Sequence, residues 1–406
     1  KTGFKATFWN NREREGKPVT VTYEKNPVQV TTHGQHTFAP NVSLTGFSAV
    51  YETVFRPQQH AKVLLDVDGC GHYEVYLDGE LKAQQSTWRT TESRIEFDGE
   101  KGKSYKIEIR YHEMPTYNAD LKINIGHETP IDYQDAINQL NDCQTVVFVG
   151  GISSQLEGEE MPIHVPGFKG GDRTDIELPA VQRNFLKALK AAGKKVVFVN
   201  CSGSAIALTP ESQSCDAILQ AWYPGQEGGE AVARVLFGEY NPGGKLPVTF
   251  YRDTKQLPDF KDYSMKGRTY RYMNDALFPF GYGLSYTTFS IGDAQLSATS
   301  FGKDGKVTLT IPVNNVGKKD GTETIQVYIK DPTDADGPLK SLKAYQRVTV
   351  KAGQTANAVI TLDSKSFELF DATTNTVRTK GGKYEVYYGN SSADKDLKKV
   401  NVTVNI

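Results

Sequence analysis

The sequence predicts a multidomain α/β plus all-β protein, with a partial parallel α/β sandwich layer flanked by an N-terminal β-sandwich and a C-terminal sandwich. Two patterns predict this order. In the first and last thirds, apolar residues alternate with a period of two, as in strands with one buried face. In the middle third, short continuously apolar segments alternate with a helical pattern, which is typical of strand-helix-strand units. A chain of 406 residues is also too long for one ordinary core.

Residues 1–130 are predicted to form the N-terminal β-sandwich. Four alternating runs carry the prediction: Val63, Leu65 and Val67; Tyr73, Val75 and Leu77; Tyr105, Ile107, Ile109 and Tyr111; Leu121, Ile123 and Ile125. Asp68-Gly69 and Asp78-Gly79 are expected to turn the chain between strands. No helical period competes with this pattern, so a sandwich or barrel is the simplest interpretation.

Residues 131–288 are predicted to form part of an α/β sandwich domain. VVFVG at 146–150 and KVVFVNC at 195–201 are continuously apolar and β-branched, as expected of strands buried on both faces of a parallel sheet. Between them, a helical pattern begins at Pro179 and ends at Gly193.

The same strand-then-helix order recurs over 217–225 and 227–238. The sheet looks incomplete, because only about three strands are visible where independent doubly wound sheets carry about five or more.

Residues 289–406 are predicted to form an immunoglobulin-like or fibronectin-like sandwich. They follow the Pro/Gly/Tyr-rich segment FPFGYGLSYTTF. Period-two alternation returns in four runs: Val307, Leu309, Ile311 and Val313; Ile325, Val327 and Ile329; Tyr384, Val386 and Tyr388; Val400, Val402 and Val404. Asp336-Gly337 and Gly381-Gly382 supply turns between such strands.

Charge and cysteine content exclude several function classes. With 47 basic and 48 acidic residues the formal charge is -1, so no net field favours nucleic acid or an anionic membrane surface. No apolar run approaches the roughly 20 residues needed to span a bilayer. The four cysteines lack the spacing of a zinc site or a disulfide scaffold. We therefore expect no metal, no cofactor, no nucleic acid and no membrane partner, and a small neutral ligand fits better.

Three carboxylates, Glu157, Glu159 and Glu160, follow the predicted strand at 146–150. Side chains that act on ligands gather beyond the carboxyl ends of strands in an open α/β sheet. Crowded carboxylates repel one another, and one removed from water has its pKa raised, which suits a general acid. The alternative is a solvated acidic loop paired with Lys169 or Arg173.

Three other motifs give weaker signals. GFKGGDR at 167–173 lacks the phosphate-binding pattern GxxxxGK[ST] and is better explained as a turn. Cys201-Ser202-Gly203-Ser204 lacks the GxSxG pattern of a nucleophile elbow. Trp222 and Tyr223 could stack on a sugar ring, although core aromatic residues are commoner.

Several motifs read in order resemble glycoside hydrolase family 3. They are QLEGEEM, GGDR, ELPAVQ, AWYPGQEGGEAVARVLFGEYNPGGKLPVTF, GRTYRYM, LFPFGYGLSYTTF, VNNVGKKDGTETIQVYIKD and GGKYEVYYGN. KATFWNN, VSLTGFSAVYETVFRP and YEVYLDGEL further resemble the protective-antigen-like β-sandwich that some members carry inserted in the α/β domain. The resemblance implies that residues 289–406 form a fibronectin type III-like domain.

The resemblance implies retaining exo-hydrolysis of terminal β-linked sugars, of the β-xylosidase or β-glucosidase type. An Asp nucleophile would come from an N-terminal barrel, which this chain lacks, and the general acid/base from the α/β domain. The family motif assigns that role to Glu159, with Glu157 as the alternative, since EGEE stands where many members have Glu-x-Glu-Gly. Asp172 and Arg173 would anchor the loop by a charge-assisted pair.

The resemblance also implies partners and a location. The partners would be a small carbohydrate substrate and the N-terminal barrel domain, from the same gene or a partner chain. A periplasmic or extracellular location is expected over a cytoplasmic one. The competing hypothesis is a non-catalytic carbohydrate-binding or scaffolding protein, in which two β-sandwiches flank a structural α/β layer. It predicts sugar binding without hydrolysis even when a barrel is supplied.

Overall fold

The computed structural model describes residues 3–115, 118–157, 165–170 and 172–406. Its contacts divide the chain into two compact units, Lys1–Asp132 and Tyr133–Ile406. The second unit contains both the predicted α/β domain and the predicted C-terminal sandwich, and a boundary at residue 288 stays a prediction. No helix in the described ranges is long and apolar enough to cross a membrane.

The first unit is an antiparallel β structure. Its strands are β1 (Gly3–Trp9), β2 (Thr20–Lys25), β3 (Val28–Thr31), β4 (Ser48–Phe55), β5 (Ala61–Leu77), β6 (Glu80–Gly99), β7 (Tyr105–His112) and β8 (Asp120–His127). In this part of the described chain they pair in the order β2-β1-β4-β7-β5-β8-β3, and β6 pairs with β5. The inward residues of every predicted run are buried in one core, as the alternation predicts.

One predicted turn in this unit is wrong. Asp68-Gly69 lies inside β5, which continues from Ala61 to Leu77, while Asp78-Gly79 does turn the chain into β6. The pairing of β5 with β6 shifts register between Gly69 and Gly71. The Asp-Gly sequence therefore lies inside a continuous strand, next to a bulge formed by additional residues of β6, and does not reverse the chain.

The α/β part of the second unit begins at Tyr133. Its strands are β9 (Thr145–Gly151), β10 (Phe168–Lys169), β11 (Asp172–Arg173), β12 (Lys195–Cys201) and β13 (Ala217–Gln220). Its helices are α1 (Tyr133–Asn138), α2 (Ser154–Glu157), α3 (Ala180–Ala191), α4 (Thr209–Ser214), α5 (Gly228–Leu236) and α6 (Thr269–Tyr272). In the described residues, β9, β12 and β13 form a parallel sheet in the order β13-β12-β9, which agrees with the small sheet that the sequence predicts.

Helix α3 follows the sequence prediction closely. Pro179 is its N-cap residue, and the helix ends just before Gly193. Leu186 and Leu189 are fully buried on its inner face, where they join Phe198 of β12 in the core of this part. The spacing of the apolar residues therefore set the face that packs on the sheet.

The remaining strands form the C-terminal sandwich. They are β14 (Phe289–Ile291), β15 (Gln295–Leu296), β16 (Ser300–Gly302), β17 (Lys306–Asn315), β18 (Gly321–Lys330), β19 (Ser341–Val350), β20 (Thr355–Asp363), β21 (Leu369–Asp371), β22 (Thr376–Arg378), β23 (Gly382–Gly389) and β24 (Leu397–Asn405). One sheet contains β14, β17, β15 and β20, and the other has the order β16-β24-β23-β18-β19. Alternating apolar residues from both sheets form one buried core.

Candidate active site

The carboxyl ends of the three parallel strands meet at one edge of the sheet. Gly151 ends β9 beside Cys201, which ends β12, and Gln220 ends β13 beside Asn200. The chain continues from these ends into α2, into residues 202–204 and into residues 221–223. The sequence places Glu157, Ser204 and Tyr223 on these three continuations.

Glu157 is held by two hydroxyl groups at this edge. The Ser204 hydroxyl donates to its Oε1 at 3.1 Å, and the Tyr223 hydroxyl donates to its Oε2 at 2.6 Å. The carboxylate is thus tied to the segments that follow both neighbouring strands. Helix α2 starts from a fixed point, because the Ser153 hydroxyl accepts from the Leu156 amide at 3.1 Å.

The approach of Tyr223 to Glu157 depends on Gly203. A Cβ atom at position 203 would lie 2.5 Å from Cε2 of Tyr223 and 3.2 Å from Oε2 of Glu157. Such a distance to the ring is far below van der Waals contact. Glycine is therefore the residue that lets the loop after β12 pass beneath the tyrosine ring.

Arg173 lies behind Ser204. Its Nη1 donates to the Ser204 hydroxyl at 3.2 Å, and its Nη2 donates to the Glu177 carbonyl at 3.4 Å. Its buried Nε has no hydrogen-bond partner among the described residues. Burial lowers the pKa of Arg173, and the negative charges of Glu157 and Asp175 oppose that shift.

These contacts form one line of donors that ends on a carboxylate. Arg173 donates to Ser204, and Ser204 donates to Glu157. Burial and then the hydrogen bond to Glu157 raise the pKa of Tyr223 to about 12. Tyr223 therefore keeps its proton and its donor role at neutral pH.

The described residues bring together only some of the predicted site. Glu157 and Arg173 are linked through Ser204, whereas Glu159 and Glu160 lie outside the described residues. Asp172 is exposed, and its backbone lies opposite that of Lys169 in the antiparallel pair of β10 and β11. The anchoring role of Asp172 and Arg173 stays a prediction.

Sequence reasoning missed Ser204 and Tyr223 as partners of Glu157. Both residues follow parallel strands directly, as Glu157 does. Their position after the strand ends is the sequence feature that could have identified them. Trp222 is partly buried and packs against the core of this part, in line with the commoner interpretation, with its ring 6.1 Å from that of Phe250. Its neighbour Tyr223 is 43% exposed and points its hydroxyl to the carboxylate.

Comparison with protein-family models shows the family to which this chain belongs. The family model of the Glycosyl hydrolase family 3 C-terminal domain matches residues 17–286, and that of the Fibronectin type III-like domain matches residues 323–392. The chain belongs to glycoside hydrolase family 3. The family 3 match includes most of the first unit as well as the α/β part, and the second match lies within the C-terminal sandwich, as the resemblance implies.

Curated relatives are much longer than the part that matches this chain. A xylan 1,4-β-xylosidase of Xylanibacter ruminicola is 57% identical over 405 residues, which are 100% of this chain and 47% of that protein. A β-xylosidase of Formosa agariphila is 33% identical over 74% of this chain and 44% of its own length. A periplasmic β-glucosidase of Salmonella typhimurium is 37% identical over 64% and 34%, respectively. The chain therefore spans less than half the length of each of these relatives.

Solved structures of β-glucosidases share the fold. A β-glucosidase from Erythrobacter marinus is 31% identical, with a TM-score of 0.58 over 67% of this chain and 36% of that chain. A β-glucosidase from Kluyveromyces marxianus has a TM-score of 0.65 over 99% of this chain and 51% of that one. At 24% identity, the latter supports the fold alone.

Proposed function

We propose that this chain is the C-terminal portion of a retaining exo-acting β-glycosidase that removes terminal β-linked xylose. The observation that carries the proposal is the fixed carboxylate at the edge of the parallel sheet. Glu157, held by Tyr223 and Ser204, ends α2 at the point where the segment with Glu159 begins. A catalytic acid must be held at a fixed position, so the segment that carries it should begin at a rigidly held residue.

Within that segment, Glu159 is the acid/base and Glu157 is a positioning residue. Both oxygens of Glu157 already accept hydrogen bonds from the protein's own hydroxyl groups. A general acid must instead present its proton to the oxygen of the leaving sugar. The family motif assigns that task to Glu159, two residues further along the chain.

The proposed reaction has two steps. In the first, an Asp nucleophile from the barrel attacks the anomeric carbon while Glu159 gives its proton to the glycosidic oxygen, which leaves with the rest of the substrate. In the second, the Glu159 carboxylate takes a proton from water while the water oxygen bonds to the same carbon, which breaks the bond to the Asp carboxylate and frees the sugar. Retention requires the two carboxyl groups to lie about 5–5.5 Å apart.

The partner that supplies the nucleophile is an N-terminal barrel domain, from the same gene or a second chain. The relatives' greater length supports it. So does the surface of β9, where Val147 is 48% exposed and Val149 is 63% exposed. Parallel sheets are normally covered on both faces, so these valines mark a surface that further elements would cover.

Xylose is the proposed sugar because the Xylanibacter ruminicola relative is named for xylan and matches the whole chain. β-Glucosides are the competing substrates. The two sugars differ by one hydroxymethyl group, a small difference for a pocket to distinguish. Comparison of kcat/KM for matched xylosides and glucosides separates them.

The decisive experiment compares Glu159→Gln with Glu157→Gln in the full gene product. For Glu159→Gln we expect kcat on xylobiose to fall by about 10²–10⁴, because its leaving group needs the proton. An activated aryl β-xyloside should show a smaller loss in its first step. Azide should then restore turnover, because the anion attacks the glycosyl-enzyme without a general base.

Two results would refute this assignment. Azide-dependent rescue in Glu157→Gln, with xylobiose hydrolysis intact in Glu159→Gln, would reverse the roles of the two residues. Unimpaired xylobiose hydrolysis in both variants would exclude both as the acid/base. Sugar binding without hydrolysis by the full gene product would instead support the scaffolding hypothesis.

A further inference from the structure

A cleft of about 490 Å³ lies within the second unit, between the C-terminal end of α5 and the outer face of the C-terminal sandwich. The residues that line it include Tyr240, Gly243, Lys245, Thr324, Tyr345 and Arg347. This volume is in the range of small-ligand sites in proteins.

The two walls of the cleft are fixed to each other. A Cβ at Gly243 would lie 2.7 Å from the carbonyl oxygen of Thr322, so only glycine allows this close approach of the loop to β18. Lys245 forms an ion pair of 2.8 Å with Glu323, and their side chains are 12% and 6% exposed. The Asn241 amide donates to the Asp320 carbonyl at 2.8 Å. The walls of the cleft are therefore preformed, which lowers the ordering cost of binding.

Two tyrosine rings are exposed in this cleft. Tyr345 is 68% exposed, and Tyr240 on the opposite wall is 51% exposed. Arg347 lies two residues after Tyr345 on the same face of β19, across from Thr324 of β18. Aromatic faces beside hydrogen-bonding groups offer both an apolar surface and polar contacts.

We propose that this cleft binds a neutral β-linked xylo-oligosaccharide as an additional sugar site. The tyrosine rings would stack on the C–H faces of the sugar. Arg347 and Thr324 would donate hydrogen bonds to its hydroxyl groups. Glu323 neutralises Lys245, whereas Arg347 keeps its charge, and a guanidinium can donate to the hydroxyl groups of a neutral ligand. The inference rests on the proposed function, since it takes its sugar from the substrate of that reaction.

The test uses the full gene product made inactive by Glu159→Gln, in native affinity electrophoresis through gels with and without soluble xylan. Tyr345→Ala and Tyr240→Ala should each weaken retardation by roughly two- to tenfold. Tyr345→Phe keeps the ring and should retain binding. The matched control is Tyr263→Ala, which removes an 84% exposed tyrosine outside the cleft.

A parallel assay separates this inference from the proposed reaction. With Glu159 restored, every variant should hydrolyse an aryl β-xyloside at the unmodified rate. Equal retardation of the cleft variants and the control, or no retardation of the parent protein, would overturn the sugar site even if hydrolysis is normal. Loss of retardation in the cleft variants alone supports the site, and absence of aryl xyloside hydrolysis then counts against the reaction only.

Discussion

At the scale of single residues, the best-defined feature is the carboxylate of Glu157 and its two hydroxyl donors. A tyrosine whose pKa is about 12 stays protonated at neutral pH, so its hydrogen bond to Glu157 is available throughout the ordinary working range. Ser204 adds a second donor that Arg173 in turn orients. The group is thus suited to holding the start of a catalytic segment in place.

Removal of the tyrosine hydroxyl tests this role. We expect Tyr223→Phe to lower kcat on xylobiose about tenfold with little change in KM, because a hydrogen bond to a charged group contributes about 1.5–3 kcal/mol. The measurement is steady-state kinetics from pH 5 to pH 8. The loss should be uniform across this range, since Tyr223 itself does not titrate there.

The control is Tyr263→Phe, which alters an exposed tyrosine and should leave kcat unchanged. An unchanged kcat in Tyr223→Phe, or an equal loss in both variants, would contradict the positioning role.

The sequence predicted part of this site for a physical reason. Glu157 follows a buried strand, and the carboxyl ends of parallel strands are where such residues act. Its partners were not predictable, because contact with Ser204 and Tyr223 depends on the order of three strands and on the path of each loop. Polar residues at the ends of β12 and β13 would have been reasonable candidates, but spacing alone does not choose among them.

At the scale of secondary-structure elements, Arg183 joins α3 to α4. Its Nε donates to Oε1 of Glu211 at 2.6 Å, and its Nη1 donates to Oε2 of Glu177 at 2.8 Å. Glu211 is fully buried. The same Glu177 offers its carbonyl to Arg173, so this ion-pair network also supports the strand-end site.

Breaking this network should destabilise the protein. We expect Arg183→Met to lower the free energy of unfolding by about 3–5 kcal/mol, because it leaves Glu211 buried without its cation. The double variant Arg183→Met with Glu211→Leu should recover part of the loss. Urea unfolding provides the measurement.

The matched control on the same helix is Lys190→Met, which breaks an exposed pair with Asp216 and should leave the free energy of unfolding nearly unchanged. Similar losses in Arg183→Met and Lys190→Met would show that burial of Glu211 has no special effect.

Local sequence patterns predicted a secondary-structure element well where several signals agreed. Pro179, the apolar spacing and Gly193 together bounded α3. They failed at Asp68-Gly69, where the same dipeptide that turns a hairpin lies inside β5, next to a bulge in β6. Turn propensity is a local property, whereas the continuation of β5 is stabilised by pairing with β6, β7 and β8.

At the scale of the whole molecule, the parallel sheet ends at a strand with exposed valines. In the described residues β9 pairs with β12 on one side. Val149 is more exposed than the buried core residues of β12 beside it. The sequence could indicate only that strands were few, because a continuously apolar run does not reveal which face of a strand its neighbours leave exposed.

A charge on this surface tests whether it is covered. In the full gene product we expect Val149→Asp to lower the free energy of unfolding by about 2 kcal/mol or more, because the barrel portion would bury an unpaired carboxylate. Differential scanning calorimetry of the full gene product measures the change.

The control is Val359→Asp, at a valine of the C-terminal sandwich that is 53% exposed, where the change should stay within about 0.5 kcal/mol. A small effect at both positions would mean that β9 faces solvent in the full gene product.

The close approach of the loop at Gly203 to the ring of Tyr223 has a consequence for sequence variation among homologues. A side chain at 203 and a tyrosine ring at 223 compete for the same space. In homologous sequences the two positions should therefore change together, with Tyr223 exchanged for a smaller residue wherever Gly203 is replaced. Such paired substitutions would identify those members of the family that orient their acidic segment by another means.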